Sequence, residues 1–321
     1  MLKATLKTLS DDTRLRILGV LQGGEFTVRE LTSILDLRQP LVSHHLKVLL
    51  DAGLVSVKRQ GTWGYYRLQR NVAVFDRIWS AIEGEVALLP EVIRDATAML
   101  DCLEERKKAS RHFFDRQARN WDSTLHKFLP LPNYQDRFLK FLPNANTALE
   151  VGCGTGSLIP SLARKSILVV GIDQSLEMIE EARKRVLREG LQGVDLRVGD
   201  MSHLPLAGRE VDLVVFNMVL HHAPHPVAVL GEASRVLKNG GTLVVADLLP
   251  HEQEWVRDKL ADQWLGFSLE DMGDFLDRAG FVLESREEIP GNNGQLDLFI
   301  LRARKGEGRI QSETLSLFME E

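Results

Sequence analysis

The chain has 321 residues, 44% of them hydrophobic and 26% charged, with a formal net charge of −5. At roughly 100 to 200 residues per domain, this length predicts two domains with real interiors. No apolar run reaches the roughly 18 residues of a membrane helix and no leader is recognised, while Cys102 and Cys153 are too few for a disulfide framework, so a cytoplasmic protein outside the membrane is expected.

Charge is unevenly spread. Residues 1–70 hold eleven Lys or Arg against six Asp or Glu, a net +5 that leaves −10 for the remainder. Such asymmetry points to a polyanion partner for the N-terminal part alone. Leu6, Leu9, Leu15, Ile17, Leu18 and Leu21 recur as on a helix, broken by Gly23 and Gly24, and Thr27 is placed to cap a helix carrying Leu31 and Ile34. A third helix is predicted from Gln39 to Ala52, with Pro40 tolerated in its first turn and Gly53 as its stop. The run LVSVKRQGTWGYYRL then alternates as two strands around Gly61. These elements predict a winged helix-turn-helix over residues 1–70, with a recognition helix in the major groove of double-stranded DNA and a wing along phosphate.

The stretches SDDTRLRILGVL and PLVSHHLKVLLDAGLVSVKRQGTWGYYRL resemble the ArsR family of bacterial repressors. The resemblance implies groove and phosphate contacts from Gln39, Ser43, His44, His45 and Lys47, and backbone contacts from Lys58, Arg59 and Arg67 in the wing. Where many relatives sense metals through Cys-x-Cys, this chain reads FTVREL, and no cysteine precedes Cys102. Thiolate sensing is thereby excluded here, and His44 and His45 are read as facing DNA or solvent, not as metal ligands.

Residues 71–110 read as a helical connector. Val72, Phe75, Ile78, Trp79, Ile82, Val86 and Leu89 recur at helical spacing, and a second helix is predicted from Pro90 to about Arg111. These helices either pack on their own chain or pair two chains. A homodimer through them is preferred, because a repressor reading two half-sites of a palindromic operator is two-fold symmetric. They would also transmit ligand state to the recognition helices.

Residues 111–305 carry a second set of landmarks. TALEVGCGTGSL is a strand that ends in Glu150 and Val151 and opens into Gly152, Gly154 and Gly156, where backbone N–H groups can approach a ligand. Asp173 closes the next apolar run, where a doubly wound sheet presents a carboxylate to ribose hydroxyls. The spacing G-x-G-x-G, together with VDLRV before Asp200 and Met201, VDLVVFNMVLHH from Val211, VLKNGGTLVVAD from Val236 and the aromatic segment FFDRQARNW from Phe113, resembles the class I S-adenosylmethionine-dependent methyltransferases. The implied fold class is multidomain α/β, with a Rossmann-like methyltransferase domain C-terminal to the winged helix. The implied ligand is S-adenosylhomocysteine or S-adenosylmethionine. Its expected contacts are Glu150, Gly152, Gly154 and Gly156 around the methionine portion, Asp173 on the ribose with Gln174 and Met178 beside it, Asp200 and Met201 at the adenine, Asn217 and Met218 under the sulfur, and Phe114 and Trp121 from the aromatic segment.

His221, His222 and His225 lie in the loop after the fourth strand; His221 and His222 are weak candidates for a catalytic base, and a zinc site from H-H-x-x-H is not expected for want of a fourth ligand and better spacing. No run of three cysteines is available for arsenic methylation. WVRDKLADQWLGF is expected to form a helix over the pocket, SLEDMGDFLDRAGF the last helix and DLFILRARK the final strand, before a tail over residues 306–321. Two functions remain open: a sensor that couples the adenosyl ligand to operator binding, and a working methyltransferase of a small molecule with a fused regulatory domain. The whole arrangement resembles the S-adenosylhomocysteine-responsive repressors of methionine-cycle genes, which favours sensing and implies release from DNA as the demethylated product accumulates.

Overall fold

The computed structural model describes residues 2–69, 73–128, 131–291 and 295–306, apart from the side chains of 125–128 and 131–133. The chain divides into two compact units, one ending at Lys107 and the other beginning at Lys108.

The first unit opens with α1 (Leu2–Leu9) and α2 (Asp12–Gln22). The leucine periodicity read as one helix is interrupted at Ser10 and Asp11, because Asp11 adopts an extended backbone and its carboxylate accepts the Arg14 N–H at 3.1 Å, capping α2. After β1 (Phe26–Thr27), α3 (Val28–Leu35) begins with a reciprocal cap: Thr27 Oγ1 accepts from the Glu30 N–H and the Glu30 carboxylate accepts from the Thr27 N–H. Then come α4 (Gln39–Asp51), β2 (Val55–Gln60) and β3 (Trp63–Leu68), the strands forming an antiparallel sheet in the order β1-β3-β2. Gly53, at φ 68°, supplies the left-handed turn out of α4.

Helix α5 (Ala73–Ala87) and the long α6 (Pro90–Gln117) follow. Phe75, Trp79 and Val86 of α5, with Val92 and Met99 of α6, belong to the same core as Ile17, Leu18, Leu31, Val42 and Leu46. Burying a large apolar side chain stabilises by about 1.5–3 kcal/mol, so withdrawing this α5 face to pair with another chain would cost several kcal/mol. At these α5 positions the alternative, packing on their own chain, describes the structure, and Val72 lies outside the described residues. Two charged pairs also hold α6 to this unit. Arg16 donates to both Asp95 oxygens at 2.7 and 2.8 Å, and Arg106 donates to Glu30 at 2.6 Å.

In the second unit, α7 (Trp121–Phe128) and α8 (Leu131–Phe141) precede a mostly parallel sheet. Its strands and intervening helices are β4 (Ala145–Val151), α9 (Ile159–Ala163), β5 (Ser166–Asp173), α10 (Leu176–Arg188), β6 (Val194–Val198), β7 (Val211–Asn217), α11 (Pro226–Val236) and β8 (Leu237–Leu248). The chain ends its described part with α12 (Trp255–Leu260), α13 (Leu269–Arg278), β9 (Phe281–Ile289) and β10 (Leu298–Lys305). The sheet order is β6-β5-β4-β7-β8-β10-β9, with β10 antiparallel to both neighbours. Strands β4, β7 and β8 carry near-continuous buried apolar runs, as expected where helices cover both faces. The direction of strand succession reverses beside β4, so the carboxyl ends of β4, β5 and β7 diverge around a crevice.

Two sequence expectations differ in detail. The N-G-G turn lies within β8 as an irregularity, its pairing jumping from Val211↔Leu237 to Leu213↔Thr242. The predicted helix from Trp255 stops at Leu260, because Ala261 adopts a left-handed conformation at φ 60° and turns the chain inward.

Candidate functional site

The crevice holds a cavity of about 520 Å³ including its mouth, walled by Phe114, Trp121, Gly152, Gly154, Asp173, Gln174, Met178, Met201, Met218 and His222, with Val151, Ile172, Gly199 and Val219. That size suits a nucleoside-sized ligand. Gly152 is required by space as well as conformation: its φ is 68° and a Cβ there would lie 2.2 Å from Val219 Cγ2. Gly156 is buried and does not line the cavity; a Cβ there would stand 3.1 Å from Ala182 Cβ, and its absence lets the loop settle on α10.

Asp173 ties the glycine turn to the start of α10. Its Oδ2 accepts from the Gly154 N–H and its Oδ1 from the Ser175 N–H, each at 2.9 Å. Burial pushes its carboxyl up to about 6, although those N–H groups favour the ionised form. Beneath it Glu150 is buried, and burial followed by the nearby Asp173 charge holds its carboxyl well above the usual range. Glu150 Oε2 has no hydrogen-bond partner among the described residues. Asp200 turns its carboxylate to the Ser202 N–H at 2.8 Å, and Asn217 Oδ1 accepts from the buried Tyr134 hydroxyl of α8. Neither lines the cavity, nor do Glu150 and Gly156, whereas the other nine expected ligand contacts do.

The aromatic segment forms one wall. Phe114, in the last turn of α6, packs edge-on against Trp121 at 5.0 Å and against the His222 ring at 4.9 Å. Gln174 donates to Ser110 Oγ of α6 at 3.1 Å. Thr155 of the glycine turn donates to Asp122 at 2.5 Å, a link that the sequence reading did not single out.

Beside that wall lies a buried cluster. His221 Nδ1 is 2.7 Å from Asp247 Oδ1, and Asp247 also accepts the Leu220 and Leu248 N–H groups. Burial disfavours the charged form of His221, but Asp247 and Asp262 outweigh it and raise the imidazole to about 9. His222 Nδ1 lies 3.1 Å from the Ala261 carbonyl, while burial and the charge of His221 hold this ring well below its usual value. Burial raises Asp262 to about 7 against the opposing pull of His221. His225, the third histidine of the loop, stands instead at the N-cap of α11. The residue that joins His221 and His222 is Asp262, some forty positions on, which no local spacing could have indicated.

In the first unit, Gln39, Ser43, His44 and Lys47 lie on the exposed face of α4, while Val42, His45, Leu46 and Leu49 form its buried face. The reading of His45 as a DNA-facing residue is corrected: it is 8% exposed, 3.5 Å from Asp11, and burial lowers its basicity. Arg59 is exposed near the wing tip, Lys58 is half-buried, and Arg67 donates to Ser56 Oγ and faces Glu25 at 3.8 Å.

Residues 11–57 match the family model of the bacterial regulatory protein, arsR family, and residues 149–245 match that of a methyltransferase domain. The chain thus carries an ArsR-family helix-turn-helix followed by a methyltransferase domain. Over 104 residues it is 41% identical to an uncharacterized 37.1 kDa protein in transposon TN4556 of Streptomyces fradiae, covering 32% of this chain and 30% of that one. Over 145 residues it is 32% identical to an arsenite methyltransferase of Halobacterium salinarum, covering 42% of this chain and 37% of that one. The chain therefore spans about a third of the length of these curated relatives. Among solved structures, N-methyltransferase NodS from Bradyrhizobium japonicum WM9, in complex with S-adenosyl-L-homocysteine, shares the fold at a TM-score of 0.52 and 18% identity, over 62% of this chain and 99% of that one. Among the described residues no helix is long and apolar enough to cross a membrane.

Proposed function

We propose that this chain, with its ArsR-family helix-turn-helix and methyltransferase domain, is a transcriptional repressor that binds a palindromic operator as a homodimer and senses S-adenosylhomocysteine or S-adenosylmethionine, in control of methionine-cycle genes. The observation that carries the reading is α6. One continuous helix is bonded to the DNA-binding unit through Asp95 and Arg106 and supplies Ser110 and Phe114 to the ligand unit. A ligand that contacts Phe114 and Gln174 therefore engages the same helix whose earlier turns pack in the DNA-binding unit, and differential binding through that shared helix is what coupling needs. Ribose hydroxyls are assigned to Asp173, the methionine portion to the turn at Gly152 and Gly154, and the sulfur to the region of Met218. DNA contacts are assigned to the exposed face of α4 and to Arg59. Leu2, Leu6, Ile93 and Leu100, between 39% and 55% exposed on α1 and α6, form the proposed dimer contact.

A second reading, methyl transfer to a small-molecule acceptor, is favoured by His222, an imidazole held neutral on the cavity wall, where a base would stand. Calorimetric titration with S-adenosylhomocysteine and S-adenosylmethionine separately, with and without operator-enriched DNA, separates the two. The repressor reading expects preference for the homocysteine form and an affinity changed by DNA. Preference for the methionine form with no effect of DNA would sink it in favour of the enzyme.

A further inference from the structure

The buried cluster beside the cavity has a composition that the adenosyl ligand does not require. Asp262 is 3% exposed, and among the described residues no hydrogen-bond donor reaches either of its carboxylate oxygens. A buried carboxylate without hydrogen bonds is costly unless a cation answers it. Two imidazoles face it: His221 Nε2 lies 3.6 Å and His222 Nδ1 3.9 Å from the same Asp262 Oδ1. The Ala261 carbonyl, 3.1 Å from His222 Nδ1, adds a neutral oxygen. Ligands of a four-coordinate zinc stand about 2.0–2.2 Å from the metal, hence roughly 3.3 Å from one another; the two histidine–carboxylate spacings here are somewhat wider, and the three donor atoms all lie within 4.8 Å of one another, so a small side-chain contraction would close them on an ion.

The surroundings fit the same chemistry. Asp247 fixes His221 through Nδ1 at 2.7 Å and leaves Nε2 directed toward Asp262, the carboxylate–imidazole support that orients a ligating histidine. Ala261 and Met218, which flank the cluster in sequence, are two of the four non-glycine residues with positive φ among the described residues. Held strain of this kind concentrates at sites where side-chain placement is over-determined. His222 belongs both to the cluster and to the cavity wall, so an ion has a path in.

We propose that His221, His222 and Asp262 form a binding site for a divalent transition-metal ion of the zinc class, placed beside the ligand cavity. The donor set, two imidazoles and one carboxylate, suits zinc or cobalt better than calcium or magnesium. An ion here displaces the protons on the ligating nitrogens and replaces a buried ion triad, in which His221 is sandwiched between Asp247 and Asp262, by metal–ligand bonds.

The test uses the full chain, stripped with a chelator, dialysed, and titrated with Zn²⁺ against a chromophoric competitor, with Co²⁺ as a spectroscopic probe. One equivalent of saturable zinc and the absorption bands of low-symmetry cobalt are expected for the unsubstituted protein. Asp262→Asn should weaken zinc binding by more than the 10- to 100-fold typical of losing a supporting group, Asp247→Asn by about that amount, and Asp262→His should retain binding because it keeps a donor in place. Circular dichroism and heat unfolding in the absence of metal report whether each variant folds. No saturable uptake by the unsubstituted chain, or equal zinc affinity in folded Asp262→Asn, overturns the proposal and leaves the ion triad as the cluster's state.

Discussion

The exposed face of α4 and the crevice at the ends of β4 and β5 are built in opposite ways, and so they respond differently to change. On α4 the candidate residues Gln39, Ser43, His44 and Lys47 project from a helix whose other face is locked by Val42, Leu46 and Leu49. Side chains are what that face presents, and each can be removed without disturbing the element. In the crevice the N–H groups of Gly152 and Gly154 are already bonded, to the Ile172 carbonyl and to Asp173, so a ligand meets close-packed backbone and a carboxylate, Asp173, that also closes the turn. A change in the crevice alters site and scaffold together, whereas a change on α4 alters only the surface.

That contrast is broken or sharpened by five measurements. The largest effect is expected from Asp173→Ala. Losing charge-assisted hydrogen bonds to two ribose hydroxyls, at about 1.5–3 kcal/mol each, should weaken adenosyl-ligand binding on the order of 100-fold or more, measured by calorimetry. Basal operator affinity should be unchanged; unchanged ligand affinity would remove Asp173 from the site. Next, the double substitution Ile93→Glu with Leu100→Glu should give a monomer by light scattering and lower operator affinity on the order of 100-fold, the avidity of two linked half-sites. A dimer that survives both charges would move the interface elsewhere.

Third comes pH. Asp173 is raised to about 6 in the folded chain, above its ordinary value, so it holds its proton longer folded than unfolded. Its contribution is destabilising to the ligand-free protein and sets in as pH rises between the unfolded and folded values. A ligand that needs the carboxylate ionised should bind with constant affinity above about pH 6 and lose up to about tenfold per pH unit below it. A flat profile from pH 7 to 5 would show that the ligand does not select the ionised form. The smallest effects separate two residues of the winged helix. Arg59→Ala should lower DNA affinity at every sequence and reduce the salt slope by about 1. His45→Gln should leave DNA affinity within about twofold, given that the ring is buried, and appear in the melting temperature instead.

What the sequence made legible follows the same division. The recognition helix, its Gly53 stop and the Thr27 cap were readable because caps and helical periodicity act within a few residues. His45 misled because a polar side chain between Val42 and Leu46 can lie on either edge of the apolar stripe, and only the packing against α2 decides. The glycine turn and Asp173 were readable because strand-turn-helix geometry fixes what may stand there. Asn217 was found as a position but not as the partner of Tyr134, which lies 83 residues earlier. Asp262 was missed for a related reason: it reaches His221 and His222 only because Ala261 ends α12 in a left-handed turn, and nothing in WVRDKLADQWLGF announces that conformation.

The position of β10 between β8 and β9 has a consequence for synthesis on the ribosome. The whole parallel half of the sheet, with every residue of the cavity wall, emerges before Leu298, yet β8 keeps an open hydrogen-bonding edge until the last strand slots in. A nascent chain stalled after Ile289 would carry a complete glycine turn beside an unsealed, apolar strand edge, the kind of surface that invites pairing with a neighbouring chain. Chaperone demand during translation should therefore peak over the interval in which residues 298–305 are still inside the exit tunnel.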